Sequence, residues 1–375
     1  MTRELETVGK IMTTHTHFTP LGPGAVATPN HGAMAPLAMA STAAALVAPG
    51  KGILAADESL PTIGKRFAAL NIPSTEENRR AYRELLFTTS RLGEFISGVI
   101  LFDETIRQKT SNDARMPDLL AAQGIVPGIK VDKGTVALPG FAGEKITQGL
   151  DGLRERLAEY RQLGARFTKW RAVIAIGGHL PTTACIESNA RALALFAALS
   201  QEAGLVPIVE PEVLMDGDYT LARCEEVTTA TLQTVFAALC EHRVVLEAML
   251  LKTGMVLSGK DGAEQADAAK VAETTIRCLR RTVPAAVPGI VFLSGGQSDV
   301  AATERLNAIC RAGGVPWQLS FSFGRALQDA AMKTWKGSPA NVAAAQAALR
   351  HRARCNGLAV QGKYAEQAER ENPAR

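Results

Sequence analysis

The chain has 375 residues, of which 46% are hydrophobic and 21% charged, and its formal net charge is +4. Such a length suits one large α/β barrel or two to three small domains, and the composition is that of a globular enzyme with a large core. So mild a charge, with no dense Lys/Arg run carrying interleaved aromatics, argues against a nucleic-acid partner and fits an anionic small substrate.

The first 45 or so residues are rich in Ala, Thr, Pro and Gly, and no acidic residue falls between Glu6 and Asp57. They read as a flexible extension, 1–45, ahead of a single domain at 46–364 and a short tail at 365–375. A transit peptide would be Arg-rich and this stretch is not, so a cytoplasmic rather than a plastid location is expected. No apolar run reaches ~18 residues, so no membrane span is expected. The cysteines, at 185, 224, 240, 278, 310 and 355, form no CxxC pair and read as reduced thiols. His15, His17 and His31 lie in the extension and no HExxH string occurs, so no metal site is expected.

Short apolar runs then alternate with long amphipathic segments. Strands are expected at 52–56, 98–102, 126–131, 167–174, 206–209, 245–251, 290–293 and 317–321. Helices are expected between them at 75–92, 150–163, 188–203, 218–242, 263–281 and 300–311, with Ser74 or Thr75 and Ser298 as N-caps. Strand–helix alternation means a parallel sheet. Eight repeats without a linker favour a closed (β/α)8 TIM barrel over an open sheet.

A barrel keeps its chemistry at the C-terminal ends of its strands. Asp57-Glu58-Ser59 stands there after the first strand and Asp103-Glu104 after the second; Lys130 and Asp132 mark the third, and Lys169 and Arg171 the fourth. Glu210 and Glu212 follow the fifth strand and Lys252 the sixth; Ser294-Gly295-Gly296 follows the seventh and Ser322-Phe323-Gly324-Arg325 the eighth. Any one of these charges is explained by a solvated strand end, but acids and bases together on one rim are not.

Lys252 follows Met249-Leu250-Leu251, so its stem emerges from a buried strand. A lysine is a nucleophile only when neutral, a form that burial and neighbouring cations favour, and Lys169 and Lys130 are candidate neighbours. A neutral amine attacks a ketone, and the resulting iminium is an electron sink for carbon–carbon cleavage. A structural ion pair with Glu210 or Glu212 explains the same spacing. Those two acids lie two apart on an extended segment and so face one way. Paired acids beside amines divide acid and base roles, and Asp57, from a different strand, is placed to deprotonate a substrate hydroxyl. An ion-pair network closing the rim is the competing explanation for each.

The loops after the seventh and eighth strands of a barrel frequently bind phosphate through backbone N–H groups exposed by glycine. Arg325 adds a bidentate cation there, and Lys65 and Arg66, just beyond the first strand, are placed for a second phosphate. Two strings mislead. Residues 293–297 spell LSGGQ, and 254–260 fit GxxxxGK, but Asp261 stands where a P-loop needs Ser or Thr to hold magnesium.

With these residues in hand, the chain resembles the class I fructose-bisphosphate aldolases, most closely their plastid and bacterial branches. The matching strings are GKGILAADES from Gly50, GIKVDKG from Gly128, QGLDGL from Gln148, KWR from Lys169, VPIVEPE from Val206, LLK from Leu250, FLSGGQS from Phe292 and FSFGRALQ from Phe321. They run in the family's order from about residue 50 to QGKY at 361–364. The resemblance implies that Lys252 is the Schiff-base lysine, that Glu210 dehydrates the carbinolamine and that Asp57 handles the substrate C4 hydroxyl. It implies that Lys169 stabilises early intermediates, that Lys130 binds a hydroxyl beside it and that Glu212 orients the lysines. Arg171 adjoins Lys169 among the substrate-binding residues. Ser294, Gly295, Ser322, Gly324 and Arg325 fall on one phosphate site, Ser59 and Arg66 on the region of the other. No metal or organic cofactor is implied; sugar phosphates and a homotetramer are.

Three departures stand out. Thr253 replaces a usual proline after the lysine, so a looser loop is expected there. Thr62 stands near a family serine at the second phosphate. The chain ends Glu371-Asn372-Pro373-Ala374-Arg375 and lacks the terminal tyrosine that assists proton exchange at the enamine in many members; its last tyrosine is Tyr364. Enamine protonation is therefore expected to be slower or to use another acid. A related Schiff-base barrel, such as a transaldolase or sulfosugar aldolase, and an inactive barrel serving as a binding scaffold are the alternatives. The paired phosphate loops speak against the first, and the intact catalytic set against the second.

Overall fold

The computed structural model of the protein describes residues 31–371. Eight parallel strands close into a barrel: β1 (Gly52–Ala55), β2 (Ile96–Leu101), β3 (Val126–Lys130), β4 (Phe167–Ile174), β5 (Val206–Val213), β6 (Leu250–Thr253), β7 (Gly289–Phe292) and β8 (Gln318–Phe323). Each pairs with its neighbour in sequence, and β1 closes on β8 through Ile53 and Ser322. The expected helices are present with shifted ends, among them Glu76–Phe87, Thr183–Glu202, Leu221–Glu241, Ala268–Thr282 and Asp299–Ala312. Of the expected caps, Thr75 accepts the Asn78 amide at 3.2 Å and Ser298 that of Ala301 at 3.2 Å.

Two strands differ from expectation in ways that matter for the site. The fifth was expected to stop at Val209, before the charges, yet β5 runs on to Val213 and carries Glu210 and Glu212 within it. The sixth was expected over 245–251; Leu246–Ala248 is instead a 3-10 turn, and β6 holds Lys252 and Thr253 inside the ladder. Thr253 accepts the Leu293 amide at 3.0 Å, so the strand stays paired past the lysine where looseness was expected. A short hairpin, Thr135–Ala137 with Lys145–Thr147, was not expected at all.

Alternation along the strands sorts the barrel interior into layers. Phe167, Val206, Ile208, Leu250, Val291 and Ile53 form a buried apolar cluster, and two residues further along come Lys169, Glu210 and Lys252. The helix His31–Leu46 closes the opposite, N-terminal end, with Met39, Ala43 and Leu46 in that same cluster. Glycines make room for it. A Cβ on Gly98 would lie 2.5 Å from Leu46, and one on Gly289 would lie 2.6 Å from Val47, the residue that follows the helix. The helix thus corrects the end of the expected 1–45 extension: its buried face belongs to the barrel because the barrel floor needs an apolar lid. The remainder of that extension lies outside the described residues.

The expected 365–375 tail is likewise partly docked. Glu369, in the short helix Gln367–Arg370, pairs with Arg352, accepts the Tyr364 hydroxyl at 2.7 Å and lies 3.5 Å from His351. His351, Cys355 and Glu369 are the one set of three metal-type groups brought together among the described residues. Glu369 is already neutralised by Arg352, which makes the set a clasp for the C-terminal segment. No described helix is long and apolar enough to cross a membrane.

Candidate active site

At the C-terminal mouth of the barrel lies a cavity of about 1270 Å³. Register explains what converges there. Ile208 of β5 pairs with Leu250 of β6, which levels Glu210 with Lys252 two residues on; Lys130 of β3 pairs with Lys169 of β4. Lys252 Nζ lies 3.0 Å from Glu210 Oε1. Lys169 Nζ lies 3.3 Å from Glu210 Oε2 and 2.7 Å from Asp57 Oδ2. The side chains of Lys252, Lys169 and Glu210 are only 4–5% exposed, so two ammonium and two carboxylate groups make a neutral, nearly dry cluster.

Burial opposes the charge on each carboxylate, and the lysines outweigh it. Asp57 is brought down to about 2 by Lys169, Lys252 and Lys130, and Glu210 is lowered by Lys169, Lys252 and Arg171. Lys169 is raised despite its burial, through Asp57, Glu210 and Asp132. Asp57 is therefore ionised at neutral pH, and Lys169 is a fixed cation.

The flanking groups are organised in pairs. Lys130 Nζ is 2.6 Å from Asp132 Oδ1, whose carboxylate also accepts the Gly134 amide at 3.1 Å. Arg171 is bonded to Glu212, so Glu212 faces the cavity beside Glu210 but serves the arginine rather than the lysines. Burial opposes the Arg171 charge, and Glu212 raises its pKa.

Across the mouth, Ser294, Gly295, Ser322, Gly324 and Arg325 line the same cavity, as do Ser59, Thr62, Lys65 and Arg66. Gly295 adopts a φ of +59°, open to glycine at low cost. Ser322 Oγ is buried without a hydrogen-bond partner among the described residues, and Gly324 is the N-cap of the helix Arg325–Trp335, its carbonyl accepting the Leu327 amide at 3.1 Å and the Gln328 amide at 3.0 Å. Among the lining residues ten Lys and Arg stand against seven Asp and Glu, which suits an anionic guest.

Every sequence-predicted site residue thus borders one cavity. Reasoning from the sequence missed Gln328, which bonds Ala55 O at 2.6 Å and Glu58 at 3.0 Å, and Asp329, 2.9 Å from Arg66. Gln328 closes the FSFGRALQ string and was within reach; Asp329 carried no signal. A second cleft of about 1000 Å³ lies between Ala268–Thr282 and Asp299–Ala312. It is lined by alanines, arginines and the acids Glu273 and Glu304, and it holds no buried acid–base cluster of the kind found at the mouth. Tyr364 is buried against Glu369 and does not line the mouth.

Known proteins resemble this chain over most of its length. The family model described as fructose-bisphosphate aldolase class-I matches residues 38–375. A probable fructose-bisphosphate aldolase class 1 of Xanthomonas campestris is 59% identical over 87% of this chain and 98% of its own. The fructose-bisphosphate aldolase of Dictyostelium discoideum is 53% identical over 86% of this chain and 92% of its own. Among solved structures, fructose-bisphosphate aldolase from Plasmodium falciparum, in complex with TRAP and a small-molecule inhibitor, superposes with a TM-score of 0.88 at 50% identity, covering 89% of this chain and 96% of that one.

Proposed function

The chain belongs to the class I fructose-bisphosphate aldolase family, and on that premise we propose which of its residues carry the reaction. The reaction is the reversible aldol cleavage of fructose 1,6-bisphosphate to dihydroxyacetone phosphate and glyceraldehyde 3-phosphate through a lysine Schiff base. Lys252 is the nucleophile. Its support is a buried amine 3.0 Å from a carboxylate able to take its proton.

The neutral amine adds to the C2 carbonyl. Glu210 returns a proton to the carbinolamine hydroxyl, which leaves as water, and the iminium remains. Asp57 takes the C4 hydroxyl proton, the C3–C4 bond breaks, and its electron pair passes to the iminium to give an enamine. Glyceraldehyde 3-phosphate departs, the enamine is protonated at C3, and water releases dihydroxyacetone phosphate from Lys252. Lys169, a cation held between Asp57 and Glu210, stabilises negative charge as it develops. Lys130 and Arg171, held by Asp132 and Glu212, bind substrate hydroxyls.

The phosphate beside the attacked C2 falls toward β7 and β8, next to β6, onto Ser294, Gly295, Ser322, Gly324 and Arg325. The unpartnered Ser322 hydroxyl supports that assignment. The far phosphate falls on Ser59 and Arg66. A cytoplasmic homotetramer with no nucleic-acid partner is the reading that the resemblance supports.

The observation that carries this mechanism is the four-charge cluster of Asp57, Lys169, Glu210 and Lys252. Incubation with dihydroxyacetone phosphate, borohydride reduction and peptide mass spectrometry is expected to place the adduct on Lys252. Active, folded protein with the adduct elsewhere, or with none, would reject it. Tyr364 is tied to Glu369, and burial with that bond raises its pKa, so the enamine takes its proton from another acid. Tyr364→Phe is expected to leave solvent tritium exchange into dihydroxyacetone phosphate unchanged; a clear loss would give the tyrosine the role denied to it here.

A further inference from the structure

Both terminal nitrogens of Arg66 are engaged before any substrate arrives. Its Nη1 is bonded to Glu58 and lies 3.4 Å from Gln328 Oε1, and its Nη2 lies 2.9 Å from Asp329 Oδ1. The two carboxylates differ in kind. Glu58 is 11% exposed and locked from behind by Arg83 at 2.7 Å and by Gln328 Nε2 at 3.0 Å. Asp329 is 41% exposed, and among the described residues its one ion pair is with Arg66. It stands four residues after Arg325 on the helix Arg325–Trp335, on the same helical face. An incoming dianion competes with whichever partner is solvated and singly held, since displacing Glu58 would strand the buried Arg83 guanidinium.

We propose that Asp329 is the counter-ion that the far phosphate of the substrate displaces from Arg66, so that this aspartate sets how tightly a bisphosphate is held relative to a monophosphate. Glu58 stays bound throughout and keeps the guanidinium aimed at the cavity. The proposal rests on the reading above that Arg66 receives the far phosphate. Asp329 acts by occupying the arginine, so it weakens binding in proportion to the strength of a half-exposed ion pair, roughly two- to fivefold.

The test is steady-state cleavage of fructose 1,6-bisphosphate and fructose 1-phosphate by the full chain and by Asp329→Asn, Asp329→Glu and Arg66→Ala variants. Asp329→Asn is expected to lower KM for the bisphosphate about two- to fivefold and to leave KM for fructose 1-phosphate, which lacks the far phosphate, where it was. Asp329→Glu is expected to restore the parent value. Arg66→Ala is expected to raise KM for the bisphosphate alone. If Arg66→Ala raises it but Asp329→Asn does not lower it, or lowers both substrates equally, the proposal fails while the phosphate assignment stands. If Arg66→Ala leaves the bisphosphate KM unchanged, the assignment fails and the proposal with it.

Discussion

Replacing Lys252 by methionine is expected to remove turnover by at least about 10⁴-fold, the scale on which loss of a covalent nucleophile is felt. Methionine keeps the length and apolar stem that pack in β6 and deletes only the amine. Without an iminium, the electron pair of the C3–C4 bond must be placed on an unactivated carbonyl oxygen, and nothing in the mouth replaces that sink. Lys169 is no substitute, because Asp57 and Glu210 hold it as a cation. The variant also leaves Asp57, Glu210 and Lys169 buried with an unbalanced negative charge, a change of the kind that costs about 3–5 kcal/mol. Activity is therefore read beside a thermal melt. Lost activity in a chain that still melts cooperatively, with no borohydride adduct, is the expected result. Turnover within tenfold of the parent would remove Lys252 from the mechanism.

Glu210→Gln separates proton transfer from the nucleophile. The amide keeps the shape of the side chain and a hydrogen bond toward Lys252 or Lys169, but it cannot take the lysine proton or return it to the carbinolamine. A fall in kcat of about 10²–10⁴ is expected, the range for a positioned acid–base group. KM should move far less, since the phosphate loops are untouched. Lys252 remains, so the reduced adduct should still form on it, only slowly, and the trapping rate rather than the adduct mass reports the change. Trapping at the parent rate would assign the carbinolamine step to another group, with Glu212 the nearest candidate by sequence. Glu212 is bound to Arg171, however, which leaves it poorly placed to exchange a proton with Lys252.

These two variants also show what the chain made legible. Lys252 could be singled out because it ends an apolar run, and Lys169 because a charge inside an otherwise apolar strand demands a partner. Which partner was not legible. Glu212 was expected to orient the lysines and in fact holds Arg171, while Glu210, alone among the described residues, bridges both amines. Acids two apart on one strand face the same side, and only the heights of the neighbouring strands decide which amine each one meets. The extent of β5 was misjudged for a related reason. A Glu-Pro-Glu run ends a strand that must bury both faces in apolar matter, but the upper barrel interior is a polar cavity, so the strand continues through the charges. At 245–251 the apolar run was equally compatible with a strand or a buried turn, and periodicity cannot choose between them.

By itself, then, the sequence determined the alternation of strands and helices, the closed barrel those repeats favour, and the set of charged residues at the strand ends. Those are local properties, written in periodicity, caps and composition. Only the tertiary structure decided the four-charge cluster, the lid formed by His31–Leu46, the burial of Tyr364 against Glu369 and the engagement of Arg66 by Asp329. Asp57, Lys169, Glu210 and Lys252 lie far apart along the chain. Their distances are fixed by strand register around a closed ring, a constraint that no single segment carries.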